Sequence, residues 1–124
     1  MPNSDHHVAV LGATPKAGRF AHQAVLLLKK HGYAITPIHP KFEQIEGLDV
    51  SKSLADIEAP IDTLTLYVGA AKLDDMVGEV IQANPSRVIF NPGTESRKLQ
   101  QALTDNDIEW REDCTLVMLN GGSF

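Results

Sequence analysis

Cysteine is almost missing from this chain. Cys114 is the single one among 124 residues, so no internal disulfide can form, which fits a reducing compartment. Long apolar runs are missing as well: no stretch reaches the roughly 18 residues a bilayer-crossing helix needs. The polar start, Met1 to His6, carries no signal-peptide hydrophobic region. Together these absences make the cytoplasm the expected location and a membrane an unexpected partner. Positive charge is in deficit, with 11 Lys and Arg against 16 Asp and Glu for a net charge of −5. That surface repels the phosphate backbone that supplies most nucleic-acid affinity. No group of Lys and Arg interleaved with aromatics offsets it, so nucleic acid is not an expected partner. A local cationic pocket for a small anion stays open.

What is present suits one globular domain spanning residues 1–124, with 43% apolar and 22% charged residues and no internal repeats, linkers or low-complexity stretches. Short β-type runs alternate with segments of helical period, the pattern of βαβ units and a mostly parallel sheet. His7 to Leu11 reads as a first strand, apolar enough for burial on both faces. A glycine-bounded loop, Gly12 to Gly18, leads to a helix ending near His31, with Ala21, Ala24, Val25 and Leu28 on one face. Lys29 and Lys30 suit its negative end and Gly32 its cap.

Ala34 to His39 reads as the second strand, although Pro37 sits awkwardly in it because an interior strand cannot spare that N–H. Residues 40–50 read as irregular. Ser53 to Glu58 reads as a short helix with Ser53 as its N-cap. A third strand spans Thr63 to Val68, and a long helix Ala71 to Asn84 with Leu73, Met76, Val77, Val80 and Ile81 as its buried stripe. A fourth strand, Val88 to Phe90, precedes the turn Asn91-Pro92-Gly93. A helix from Ser96 to Asp105, a fifth strand from Ile108 to Arg111 and a short helix from Cys114 to Leu119 complete the chain. The expected fold is α/β: a Rossmann-like, doubly wound, parallel five-stranded sheet of order 3-2-1-4-5. Its ligand crevice would lie outside the carboxyl ends of the strands, where the order reverses between strands one and four.

The loop after the first strand reads Gly12-Ala13-Thr14-Pro15-Lys16-Ala17-Gly18-Arg19. Gly12 allows a sharp turn and Gly18 a close backbone approach to a ligand. The helix start offers N–H groups and partial positive charge, the Thr14 hydroxyl can donate, and Lys16 and Arg19 are cations; all suit a phosphate or pyrophosphate. Any strand-to-helix loop tolerates glycine and surface lysine, but this one sits where the fold puts ligands, which favours phosphate. The dinucleotide fingerprint G-x-G-x-x-G lacks its middle glycine here. Where a nicotinamide site wants an acid after the second strand, the chain has His39-Pro40-Lys41. A lysine there favours a ligand with an extra ribose phosphate, either NADP or coenzyme A (CoA).

Five segments together resemble a known family: Val8 to Thr14, Pro37 to Lys41, Ser53 to Ile57, Asn91 to Glu95 and Cys114 to Leu119. In order and spacing they are similar to the stand-alone CoA-binding domain proteins. Those in turn are similar to the N-terminal nucleotide-binding domain of the succinyl-CoA synthetase alpha subunit and of NDP-forming acyl-CoA synthetases. The resemblance implies that the Gly12 to Gly18 loop, with Thr14 and Lys16, holds phosphates; Ala13 and Arg19 count beside them as candidate contacts. Pro40 and Lys41 would lie near the adenosine, Val68-Gly69-Ala70 against the adenine, and Asn91-Pro92-Gly93 on the opposite wall near the pantetheine arm. His39 stands where the family often has asparagine, leaving a ribose contact and a simple turn residue as equal readings.

Other chemistry-bearing residues have plainer readings. His6 and His7 lack further ligands for a metal. Cys114 reads as a structural thiol, Tyr67 and Trp110 as packing, and Glu95 and Asp113 as caps, with nothing pairing the two acids for catalysis. The expectation is non-catalytic binding of CoA or an acyl-CoA. A small NADP-dependent oxidoreductase and an acyl-CoA-sensing regulatory subunit are the alternatives, with room for a partner enzyme or a homo-oligomer.

Overall fold

A computed structural model describes residues 3–124; Met1 and Pro2, part of the polar start, lie outside the described residues. The first strand, β1 (His7–Leu11), leads into α1 (Phe20–Lys30) and β2 (Ala34–Ile38). A minimal hairpin, β3 (Gln44–Ile45) and β4 (Leu48–Asp49), and a 3-10 turn at Leu54–Asp56 follow. Next come β5 (Thr63–Leu66), the short helices α2 (Ala70–Asp74) and α3 (Val77–Ala83), and β6 (Arg87–Phe90). The chain closes through α4 (Arg97–Asp105), β7 (Glu109–Glu112) and α5 (Thr115–Gly121). Among the described residues no helix is long and apolar enough to cross a membrane.

The main sheet is parallel, five-stranded and ordered β2-β1-β5-β6-β7. Alternation along β1 sorts its side chains to two cores. Ala9 and Leu11 join Leu64, Leu66, Phe90, Leu73, Val80, Leu99 and Leu103 under α2, α3 and α4. Val8 and Val10 join Val25, Leu28 and Leu119 under α1 and α5. The apolar stripe of α1 is buried as its period requires, with Ala24, Val25 and Leu28 fully enclosed. Ser96 caps α4, its hydroxyl accepting from the Leu99 N–H at 3.1 Å.

The parallel sheet with helices on both faces agrees with the sequence reading; the strand order does not. Counting the five long strands in chain order, it is 2-1-3-4-5 rather than 3-2-1-4-5, because β5 pairs with β1, Val8 opposite Thr63, instead of with β2. Pro37 supplies the physical reason. In parallel pairing the outward-facing groups of β2 are those of Pro37, whose carbonyl accepts from Ser51 N–H at 2.9 Å while it has no N–H to give. A full strand on that side would lose a ladder bond there, so β2 takes the edge. The edge is covered by a single bridge to Ser51, whose carbonyl accepts from His39 N–H at 3.0 Å. The order therefore reverses between β1 and β5, which moves the expected crevice to the carboxyl ends of those two strands.

Two local readings also change. The single helix expected over Ala71 to Asn84 is broken at Asp75 and Met76. There the chain tightens into i→i−3 bonds, Asp75 N–H to Lys72 and Met76 N–H to Leu73, before α3 begins. Asp74 and Asp75 oppose the negative end of α2, and Gly78 weakens the continuation. Residues 40–50, read as irregular, contain the β3–β4 hairpin, which folds over the flank of β2.

Candidate functional site

The carboxyl ends of β1, β2 and β5 are drawn together by backbone bonds. Gly12 and Ala13 N–H both donate to the Ile38 carbonyl, at 3.1 and 3.2 Å, and Tyr67 N–H donates to that of Leu11 at 2.9 Å. Gly12 adopts φ +89°, and a Cβ there would lie 2.8 Å from Val68 Cγ1 and 3.0 Å from the Tyr67 carbonyl carbon. Only glycine allows that turn and that approach. On either side lie two cavities of about 480 and 500 Å3, both lined by Gly12, Tyr67 and Val68.

The second cavity, on the α1 side, gathers Thr14, Lys16, Arg19, Gly69, Pro92 and Gly93, together with Phe20 and Thr94. It opens at the start of α1, where Arg19 is extended, no side chain caps the helix and no acid sits in the first turn. The free N–H groups and the dipole of this 11-residue helix therefore meet no competing anion from the chain. Thr14 Oγ1 accepts from Lys16 N–H at 3.2 Å, which fixes the loop. Neither Lys16 nor Arg19 has an acidic partner among the described residues.

The first cavity has an apolar floor of Leu11, Ile38, Leu54, Val68 and Met76, rimmed by His39, Pro40, Lys52, Ser53, Lys72 and Glu79. The His39 ring rests on Phe42, 4.4 Å between centroids. Its Nδ1 accepts from Lys41 N–H at 3.0 Å, which leaves Nε2 as the protonated, donating nitrogen of the neutral ring. Burial pushes its pKa below the ordinary histidine value, and the ammonium groups of Lys41, Lys72, Lys52 and Lys16 push it further in the same direction. Glu79 is engaged elsewhere, accepting from Ala55 N–H at 3.3 Å. Tyr67 lines both cavities. Its hydroxyl is buried with no hydrogen-bond partner among the described residues, although the Thr65 and Thr115 hydroxyls lie close, and burial raises its pKa to about 12.

Of the residues nominated from sequence, Gly12, Thr14, Lys16, Arg19, His39, Pro40, Val68, Gly69, Pro92 and Gly93 line the cavities. Ala13, Lys41, Ala70 and Asn91 line neither. Ala13 is fully buried, and Lys41 contributes its backbone to His39. Asn91 is 3% exposed and wholly engaged. Its Nδ2 donates to Thr65 Oγ1 at 2.7 Å and to the Leu66 carbonyl at 2.8 Å, and its Oδ1 accepts from Thr115 N–H at 2.9 Å. This buried network pins the start of α5 to β5 and β6. Lys52, Ser53, Lys72 and Glu79 were not nominated. They reach the crevice from residues 52–79, and only the tertiary fold brings them there.

The remaining polar residues are engaged locally. Glu95 accepts from Gly93 N–H at 3.0 Å, and Asp113 accepts from Cys114 N–H at 2.8 Å. Trp110 packs edge-on against Phe90 and donates to Thr104 Oγ1 at 2.9 Å. His6 and His7 lie at the opposite end of the sheet, bonded to Thr63 and to Thr36.

Known proteins share this fold. The chain is 25% identical over 98 residues to the uncharacterized protein YneT of Bacillus subtilis, which spans 79% of this chain and 73% of that protein. It is 34% identical over 61 residues to an ADP-forming acetate–CoA ligase of Methanocaldococcus jannaschii, covering 49% of this chain and 9% of the ligase. A solved structure of an uncharacterized protein superposes with a TM-score of 0.89 at 38% identity, covering 96% of this chain and 98% of that one. A Thermus thermophilus protein superposes at 0.88 and 28% identity, covering 96% and 90%. The sequence pattern of the CoA binding domain family extends from residue 6 to 120, and with these relatives it establishes that the chain belongs to that family.

Proposed function

We propose that this chain holds CoA or an acyl-CoA non-covalently, without transforming it, across the two joined cavities. The observation that carries this reading is the basic, uncapped start of α1 opening onto a cavity that shares Gly12, Tyr67 and Val68 with an apolar neighbour. The pyrophosphate sits at the helix start between Lys16 and Arg19, receiving N–H donors and the positive end of the dipole. The adenosine enters the first cavity over Leu54, Val68 and Met76, beside His39 and Pro40. The pantetheine arm leaves along Pro92 and Gly93, where a turn without bulky side chains leaves room for a thioester. The groups facing the ligand are donors, cations and apolar walls. Glu79, the carboxylate among them, is already occupied by Ala55 N–H. Such a set stabilises a bound polyanion and supplies no base or nucleophile at the thioester.

This reading fits a cytoplasmic protein that carries or senses acyl-CoA for a partner enzyme. Isothermal titration of CoA, acetyl-CoA and NADP tests it. Saturable binding of the first two and none of the third is the expected result. Silence with CoA and its thioesters into the millimolar range would overturn the reading, and binding of NADP alone would favour a reductase.

A further inference from the structure

We infer that the outer face of α1 and α5 is a docking surface for an acidic, amphipathic helix of a partner protein. The inference stands whatever the two cavities hold. It is carried by where the exposed apolar side chains fall, by the groove between them, and by the charge around it.

Among the described residues three large apolar side chains stand exposed: Phe20 at 69%, Leu26 at 42% and Val117 at 65%. All three lie on α1 or α5, helices that pack against each other over one side of the sheet. Single exposed apolar residues need no explanation, but their gathering on one face marks a contact surface. The core does not require Leu26, since α1 already buries Ala24, Val25 and Leu28 on its opposite face.

Between the two helices runs an open groove of about 350 Å3, lined by Gln23, Leu26, Leu27 and Lys30 from α1 and by Leu116 and Asn120 from α5. These positions recur every three or four residues, so each helix raises one ridge along its length. The space between two such ridges receives the side-chain ridge of a third helix.

Charge decides which helix. The chain carries 16 Asp and Glu, yet α1 and α5 hold none. Lys30 lines the groove and has no acidic partner among the described residues. Glu46, a carboxylate that does reach α1, is bonded to His22 at 2.7 Å and lies outside the groove. A helix whose apolar stripe is flanked by carboxylates supplies what this face lacks. A second copy related by a two-fold axis would present the same acid-free face, leaving Lys30 of each without a counter-charge. An anionic bilayer attracts clusters of about 4–8 Lys and Arg, whereas Lys30 is the one cation among the lining residues.

Selecting phage-displayed helical peptides on the wild type, with the double variant Leu26→Ser/Val117→Ser as counter-selection, tests the surface. Enriched peptides are expected to carry apolar residues at i, i+3 or i+4 and i+7, flanked by Asp or Glu. The consensus peptide, synthesised and titrated by calorimetry, should bind the wild type at least about tenfold more tightly than it binds Leu26→Ser/Val117→Ser or Lys30→Glu. Its affinity should also fall as salt is raised. Leu26, Lys30 and Val117 are exposed, so these replacements spare the fold, which circular dichroism checks. Phe20 also lines the second cavity and is left unaltered. The absence of enriched peptides, enrichment of basic ones, or equal binding to the double variant overturns the proposal. Sedimentation velocity and flotation with phosphatidylserine vesicles address the other occupants. A wild-type dimer that the double variant abolishes gives the face to a second copy, and vesicle binding that it abolishes gives the face to a membrane; either result overturns the acidic helix.

Discussion

Replacing Asn91 by alanine removes a carboxamide that bridges three elements: β5 through Thr65 and Leu66, β6 through its own backbone, and α5 through the Thr115 N–H. The consequences differ from bond to bond. Thr65 keeps a partner, since its hydroxyl still meets that of Thr115 at 2.8 Å. The Leu66 carbonyl loses one donor. The Thr115 N–H, at the start of a helix and on a fully buried residue, is left without an acceptor. An orphaned buried donor costs about 1–3 kcal/mol, and the lost carbonyl bond adds about 1 more. The sum is about 2–4 kcal/mol. For 124 residues, 1 kcal/mol corresponds to about 4 °C in melting temperature, so a drop of roughly 8–16 °C is expected. Thermal unfolding by circular dichroism measures it, with CoA titration on the same sample. A fall of less than about 3 °C would refute the network as a structural lock. An unchanged melting temperature with lost affinity would instead make Asn91 a ligand contact.

Gly12→Ala forces a non-glycine residue to φ +89° with Val68 Cγ1 only 2.8 Å from the new Cβ; urea unfolding should show a loss of about 1–3 kcal/mol, and an unaltered midpoint would mean that the β1 loop relaxes freely. Lys16→Glu should weaken CoA binding by about 1–3 kcal/mol with the melting temperature unchanged, and wild-type affinity would put the pyrophosphate elsewhere. His6 and His39 both titrate below the ordinary histidine value, each first because of burial and then because of nearby cations, Arg87 for His6 and Lys41 for His39. The unfolded chain therefore takes up these protons first, so stability is full above about pH 6.5 and declines as the pH falls through the lowered folded values. Urea unfolding at a series of pH values checks this, and a stability that rises on acidification from pH 7 to 5.5 would refute it.

Local patterns in the sequence were legible where chemistry and period agree. The stripe of α1 and the glycine-bounded loop after β1 both stand where the sequence places them, because each depends on neighbours within one or two turns. The sheet order depends on which distant strand approaches β1. The misfit of Pro37 was visible in the sequence, but its meaning, that β2 is an edge, emerges only once the partner strands are known. The break at Asp75 and Met76 interrupts a stripe whose spacing alone suits one continuous helix. A two-residue strand such as Gln44–Ile45 is too short for any alternation to register. The cavity rim shows the same limit, since Lys52, Ser53 and Lys72 are ordinary surface residues until the fold makes them neighbours of His39.

The two borders of the sheet are defended in different ways. Along β2 the chain lays its own backbone against the rim at Ser51, and the proline beneath has no amide to offer a newcomer. Along β7 the sequence Glu109-Trp110-Arg111-Glu112 presents alternating charges on a largely exposed strand, a costly surface for another chain to zip onto. Neither border invites continuation of the sheet from molecule to molecule. Adding a further strand at either border would therefore have to overcome a proline and a charged strand.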